Sequence, residues 1–500
     1  MLSHTSSSED VSDKEEVVQV KQLENVDTDL ESQSSSGSGD DDDIDAGWDP
    51  KAVARTMRKV DWRLIPVLAA MYTASTMDRA NVSLARAANS GQMNIDLGLK
   101  IGNRYSIVTL AFFIPYICLE IPSQIGLRAF GARIWLGGAT IAWGVVMLSM
   151  GFVTNWQTLA GLRALLGVFE ATLFPGSVYL IACWYPRSKM ASRMTYFFQG
   201  ALFVTSVSPI LSWGISHLHM KSGYHGWQWI FIIYGVLTCA VGIVAILLIV
   251  DFPDKATFLN PEQREIVLSR IERDRRDSEH DALTLRKCIK YLCEPRIWLF
   301  GIFFGSSAVS VYALAYFLPV ILASMGFDNK MSQVLVAPPN FWCIIPAVIL
   351  AKLSDRYGWR GQLVAFNCVL IVVGTCMFSQ LGNNHVAARY AGVFLATGGC
   401  QSNIPLITSW AQTTIRSQSK RAFTSAFVVA WGSIGGIIAS VSFLEKEAKH
   451  GYPTGIFLTI GLNVFTCVCA LLLVVWFKWQ NRKADRGEVV LEGCEHFRYK

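Results

Sequence analysis

LIPVLAAMYTASTMDRANVSLA, residues 64–85, is long and apolar enough to cross a bilayer, yet it carries Asp78, Arg79 and Asn81 near its end. About 20 consecutive apolar residues suffice to span the hydrocarbon as a helix. A charged side chain at that depth costs about 2.5–3.5 kcal/mol even on the lenient insertion scale, so it persists mainly where it lines a pathway or binds something charged. The stretch implies a membrane helix that handles charge.

Eleven further apolar runs follow: Ile107–Leu127, Ile134–Val153, Leu159–Ala182, Met194–Ile215, Trp229–Ile249, Ile297–Leu318, Leu335–Leu353, Leu363–Phe378, Tyr390–Trp410, Phe423–Phe443 and Ile456–Phe477. Hydrophobic residues make up 52% of the chain and charged ones 16%, against roughly 25% charged in soluble proteins. Lipid is the expected solvent. The expected fold class is an all-α membrane protein with twelve transmembrane helices in two six-helix bundles. The expected domain plan has a disordered acidic cytoplasmic tail (1–55), a first bundle (60–250), a cytoplasmic linker with a short helix (251–296), a second bundle (297–478) and a C-terminal cytoplasmic tail (479–500).

Basic residues cluster in every second loop: Arg128 and Arg133; Arg187, Lys189 and Arg193; residues 251–296; Lys352, Arg356 and Arg360; Arg416, Lys420 and Arg421. By the positive-inside rule these loops and both termini face the cytoplasm. Lys100, Arg104, Lys446 and Lys449 on the opposite side weaken the bias without reversing it. The first fifty residues carry fifteen acidic side chains against two lysines, so a net charge of +6 for the whole chain leaves about +19 for the rest. Anionic lipid attracts such a surface, and nucleic acid is not an expected partner. The acidic N-terminus is not read as a cleavable signal peptide, so the first span is expected to act as an uncleaved anchor. The twelve cysteines fall in spans, cytoplasmic loops or the C-terminal tail, which argues against extracellular bridges. No spacing points to a metal or other cofactor, and the eight histidines are scattered with no nucleophile–base pair. The chain does not read as an enzyme.

Six spans, about 45 cytoplasmic residues and six more spans form the layout of a duplicated carrier with its site between the halves. Gly126–Arg133 after span two and Ala351–Arg360 after span eight each place glycine and arginine in a tight cytoplasmic turn. In the linker, Asn260-Pro261-Glu262-Gln263 has the pattern of a capped helix start, with the helix running to about Asp274.

These residues also resemble a known family. Asp78-Arg79-Ala80-Asn81, Glu120-Ile121-Pro122-Ser123, Arg163 with Gly167 and Glu170-Ala171, Phe174-Pro175-Gly176, Trp229-Ile230-Phe231, Asp251-Phe252-Pro253-Asp254, Phe258–Glu262, Lys420-Arg421-Ala422 and Tyr452 are similar to the anion:cation symporter branch of the major facilitator superfamily. Within it the chain is most similar to the fungal allantoate permease group, whose members take up carboxylate-bearing nutrients such as allantoate, nicotinate, pantothenate and biotin with protons. It departs from the pattern at Thr414 and Ser433, where members usually carry Asn, and lacks an acid in its first-half turn. The exporter signature of span five is not present.

Arg163 and Glu170, seven apart, share a helix face about 10 Å from each other, with Gly167 between. That spacing admits a switch, or a permanent ion pair that sets packing. Burial favours a neutral carboxyl and a nearby guanidinium a charged one, so an acid whose arginine neighbour comes and goes can carry a proton. Asp78, Glu170 and Arg163 are the proton-coupling candidates. The resemblance implies the same role for Asp78 and Glu170, and implies that Arg79 holds the substrate anion. Arg79 can grip a carboxylate bidentately, or serve as an internal partner of Asp78. Asn81, Tyr116, Gln199, Tyr312, Tyr316, Gln401 and Asn403 are candidate cavity groups, each of which can equally be core packing. Glu120, Asp355 and Arg356 are conformational candidates, and the resemblance implies that Asp355 docks on a helix N-terminus.

The expected function is proton-coupled symport of a small organic anion by alternating access, from a monomer in the plasma membrane with both termini cytoplasmic. Export of a secondary metabolite, or nutrient sensing without transport, are the alternatives.

Overall fold

A computed structural model describes residues 44–499 apart from 46, 88–91, 100, 102–103, 276–282, 327–330, 332–334, 383–384 and 443–451. The chain separates into residues 1–48 and a single unit, residues 49–500; the architecture below is that of the second.

Among the described residues, twelve spans are present. They are Pro50–Ala87, Arg104–Phe130, Ala132–Met150, the pair Trp156–Glu170 and Leu173–Trp184, the pair Met190–Thr205 and Ser208–Ser216, Gly226–Leu248, Pro295–Ser324, the pair Ala337–Trp342 and Ile344–Tyr357, Arg360–Gln380, Val386–Thr413, Gln418–Ser442 and Pro453–Asp485. Among the described residues, nine meet the length and apolarity needed to cross a membrane by themselves. Spans one, five and ten fall short because polar residues or an interruption dilute them.

Spans four, five and eight are interrupted where the apolar runs read as continuous. Proline explains each break. A proline at position i has no N–H for the carbonyl of residue i−4. Pro175, Pro209 and Pro346 thus weaken the ladder at Ala171, Thr205 and Trp342, next to the three interruptions. The ends of spans one and twelve also differ from the apolar runs, because both helices continue through charged residues, from Pro50 and to Asp485. An apolar run marks the hydrocarbon part of a helix, not its polar overhang.

The exposed and buried faces follow from a lipid solvent. Spans three, six, nine and twelve present Val145, Leu247, Val369 and Leu472 outward, while spans four and eleven are mostly enclosed. Spans two, four and five of the first half meet spans eight, ten and eleven of the second. Close approach inside the first half requires Gly167, where a Cβ would collide with the Phe112 carbonyl of span two.

One face carries Lys59, Arg187 and the C-terminal segment, and is called here the terminal face. Asp355 accepts bonds from the backbone N–H groups of Ala191 (3.0 Å) and Ser192 (2.8 Å) at the start of helix Met190–Thr205, where the helix dipole favours negative charge. The first half repeats this arrangement. Asp251, from the end of span six, accepts from Ala132 N at 2.9 Å at the start of helix Ala132–Met150. Gly131 makes room for it, with φ +84° and a virtual Cβ only 2.6 Å from the carboxylate. The acid missing from the first-half turn is thus supplied from elsewhere. Arg356, grouped with Asp355 as a conformational candidate, is exposed and lies over the Tyr357 ring. Arginines that do enter the junction between the halves include Arg360, which donates to the carbonyl of Arg187 at 2.5 Å, and Arg421 of span eleven, which donates to the carbonyl of Ala182 at 3.0 Å.

Beyond Asp485 the chain folds back. Leu491 and Cys494 form a bridge around Glu492 and Gly493, both at positive φ, the backbone of a type I′ turn. Burial alone would push the Glu492 carboxyl up, but the charges of Lys420 and Arg296 hold it below its ordinary value of 4.5. Its docking energy is therefore complete above about pH 4.5 and lost as pH falls through the lower folded-state value. Protection of the C-terminus from an acid-active carboxypeptidase should persist at pH 5 and vanish well below pH 4; loss already at pH 6 would contradict the pairing. Gly167→Leu should destabilise the detergent-solubilised protein by about 1–3 kcal/mol or prevent assembly. Gly161→Leu, on the same helix with open space around it, should leave the melting temperature unchanged.

Candidate functional site

Asp78 and Arg79 are adjacent, so their side chains leave helix Pro50–Ala87 about 100° apart. Asp78 is fully buried. It points toward spans three and six, where Oδ2 accepts bonds from Trp143 Nε1 (3.1 Å) and Thr238 Oγ1 (3.0 Å), and Oδ1 accepts from Asn81 Nδ2 (3.3 Å). Arg79 points toward spans two and four. Its Nε lies 2.5 Å from Glu170 Oε1, its second amino group donates to Tyr116 OH at 3.0 Å, and the guanidinium sits 4.8 Å from the centre of the Tyr116 ring. Arg79 is therefore not the partner of Asp78.

Glu170 is fully buried and ends the first segment of span four, just before the break that Pro175 causes. Ser75 Oγ donates to the same Oε1 at 2.6 Å. Glu170 Oε2 has no hydrogen bond among the described residues, and buried Glu120 lies one turn beyond Tyr116 on the same helix. The ion pair of Glu170 is with Arg79, across helices. Arg163, expected to serve it along one helix, is also buried. Helical periodicity identifies neighbours on one helix and is silent about the partner a second helix brings.

Span ten approaches from the other half. Pro405 has no N–H for the carbonyl of Gln401, and the side chain of Gln199 in span five donates to that carbonyl at 3.2 Å. One missing backbone donor thus becomes a link between the halves. Gln401 Oε1 is buried and has no hydrogen bond among the described residues. Tyr312 in span seven is half-buried and interacts electrostatically with Arg79, Tyr72 and Tyr116. The side chain of Tyr316 lies outside those described. Asn403 bonds to Ser307 Oγ (3.4 Å) and Cys368 Sγ (3.5 Å), which places it in the packing of the second half.

The sequence reading missed Ser75, Trp143, Thr238 and Tyr72, whose ring packs 4.8 Å from Phe174 and 5.2 Å from Phe197. Ser75, four residues before Arg79 on the same helix face, was within reach of a periodicity argument. Trp143 and Thr238 carry no such signal.

Two helical bundles with a buried cluster of carboxylates and arginines near their junction define a carrier of small molecules embedded in a membrane. The chain belongs to the Major Facilitator Superfamily, whose family model matches residues 68–440. It is 27% identical over 445 residues to an MFS transporter, prlL, from Fungal sp., covering 88% of this chain and 90% of that one. A putative tartrate transporter of Agrobacterium vitis is 28% identical over 84% of this chain and 91% of its own. Among solved structures, the proton:xylose symporter XylE superposes with a TM-score of 0.65 at 12% identity, over 82% of this chain and 94% of that one, a likeness of fold.

The account of Asp78 has a direct check. Trp143→Phe removes one donor to a buried carboxylate and should cost about 1–3 kcal/mol of stability in detergent. In an Asp78→Asn background the same change should cost clearly less, and equal costs in both backgrounds would break the assignment.

Proposed function

We propose that this transporter couples the uptake of a small organic anion to protons, as a member of the anion:cation symporter branch akin to the fungal allantoate permease group. In this reading the protein is a monomer of the plasma membrane and its terminal face is cytoplasmic. The observation that carries the reading is the pairing of half-buried Arg79 with fully buried Glu170, 2.5 Å apart and shared with Ser75.

A guanidinium offers a planar fork that fits one carboxylate bidentately. Arg79 is already engaged by Glu170. A substrate carboxylate that takes Arg79 displaces Glu170, and if both acids stayed charged two anions would share one buried cation. Protonation of Glu170 removes that conflict, because a buried carboxyl deprived of its guanidinium favours the neutral form. Anion and proton thus bind as a neutral pair, and each raises the affinity for the other. Tyr116 and Phe112 beneath the guanidinium hold its plane. Gln199, Gln401 and Tyr312 supply polar groups from across the junction, and Asp78, held by Trp143 and Thr238, is the second proton-coupling candidate. The tartrate transporter named among the relatives supports an anionic substrate class.

The test is accumulation of labelled small carboxylates by vesicles under an imposed pH gradient. Glu170→Gln should abolish gradient-driven accumulation while exchange of anion for anion continues. Normal accumulation by that variant would contradict the coupling. Arg79→Lys, which keeps the charge and loses the fork, should raise KM by about tenfold or more.

A further inference from the structure

Among the described residues, the C-terminal segment is seated on the second half and touches the first at Arg187. Its seat on the second half is extensive. Glu492 pairs with Lys420 (2.9 Å) and Arg296 (2.8 Å), at the starts of spans eleven and seven. Tyr499 exchanges two hydrogen bonds with Asn481 (2.8 and 2.9 Å), stacks 4.6 Å from Phe477 and receives a bond from Arg296 at 2.5 Å. Its contact with the first half is Arg187, in the turn between spans four and five. The Arg187 guanidinium lies 4.9 Å from the Phe497 ring centre and donates to the carbonyl of Arg498 at 3.2 Å.

Arg187 is also where the linker and the second half meet. It pairs with Asp274 of helix Pro261–Arg275 at 3.2 Å, and its carbonyl accepts from Arg360. A rocking motion that parts the halves at this face must break the bonds that cross between them. Among the described contacts, the tail holds the second half through two ion pairs, hydrogen bonds with Asn481, Arg296 and Arg416, and an aromatic stack, and holds Arg187 through one ring contact and one hydrogen bond. The weaker side releases.

We propose that residues 491–499 form a strap that locks the terminal face shut by clasping Arg187 between Phe497 and the Arg498 carbonyl, and that opening toward that face requires this clasp to let go. The strap adds a second lock to the Asp355 contact, so a protein that binds residues 491–499 would set how often the carrier opens. The inference rests on alternating access as read above, but not on the identity of the substrate or on proton coupling.

The experiment uses the full-length protein in proteoliposomes without substrate or pH gradient, so its outcome is separable from that of the transport assays. Ser188, buried beside Arg187, is replaced by Cys, and its modification by a membrane-impermeant maleimide on the terminal face is followed peptide by peptide, with exposed Cys293 as internal reference. Adding Phe497→Ala should speed labelling at position 188 relative to Cys293 by about fivefold or more, as expected for losing a cation–π contact and its packing. Phe497→Tyr, which keeps the ring, should restore the slow rate. Equal labelling rates with and without Phe497→Ala, or a Phe497→Tyr protein labelled as fast as Phe497→Ala, would overturn the proposal.

Discussion

The structure depends on one buried contact, the guanidinium of Arg79 against the carboxylate of Glu170. Neither charge is stable alone at hydrocarbon depth, and the desolvation of both is offset only while they stay together or while something of like charge replaces one of them. Spans one and four are held at a fixed separation by this pair and by Ser75, and the close approach of spans two and four at Gly167 brings Tyr116 beneath the guanidinium. A pair that costs this much to bury is weak evidence for stability. In the proposed mechanism it is instead an exchangeable site, because the replacement of one partner by a substrate group restores neutrality.

Proline does a second kind of positioning. In a bilayer every backbone polar group must find a partner within the protein, so a helix interrupted by proline is tolerated only where neighbours absorb the loss. The break at Ala171 leaves Glu170 at the end of a helical segment, and the unpaired carbonyl of Gln401 draws Gln199 across from the other half. The breaks in spans five and eight lie on the helices that meet each other across the same junction.

Much of the fold was legible in the sequence because the signal is physical and local. A run of about twenty apolar residues has one use in a chain this apolar, and twelve such runs around a charged linker leave few layouts. The interruptions before Pro175, Pro209 and Pro346 were not read from the sequence, and proline alone does not locate them, since Pro66, Pro115, Pro122 and Pro405 lie inside continuous helices. The site was half legible. Its residue types were apparent from their cost of burial, whereas their pairing was not, since Glu170 has an arginine on its own helix in the sequence and another from span one in the structure. Trp143 and Thr238 are unremarkable members of apolar runs until Asp78 is placed against them. The docked tail left no trace in a hydropathy reading, because ion pairs and a few aromatic rings hold it.

In the proposed mechanism an incoming anion displaces Glu170 from Arg79, and Glu170 takes up a proton as it leaves. Proton uptake by the purified protein on addition of a transported carboxylate, followed with a pH indicator in weakly buffered detergent solution, measures this without any gradient or flux. About one proton should be taken up per anion bound, and Glu170→Gln should remove that uptake while binding remains. Anion binding with no accompanying proton, or proton uptake untouched by Glu170→Gln, would contradict the account.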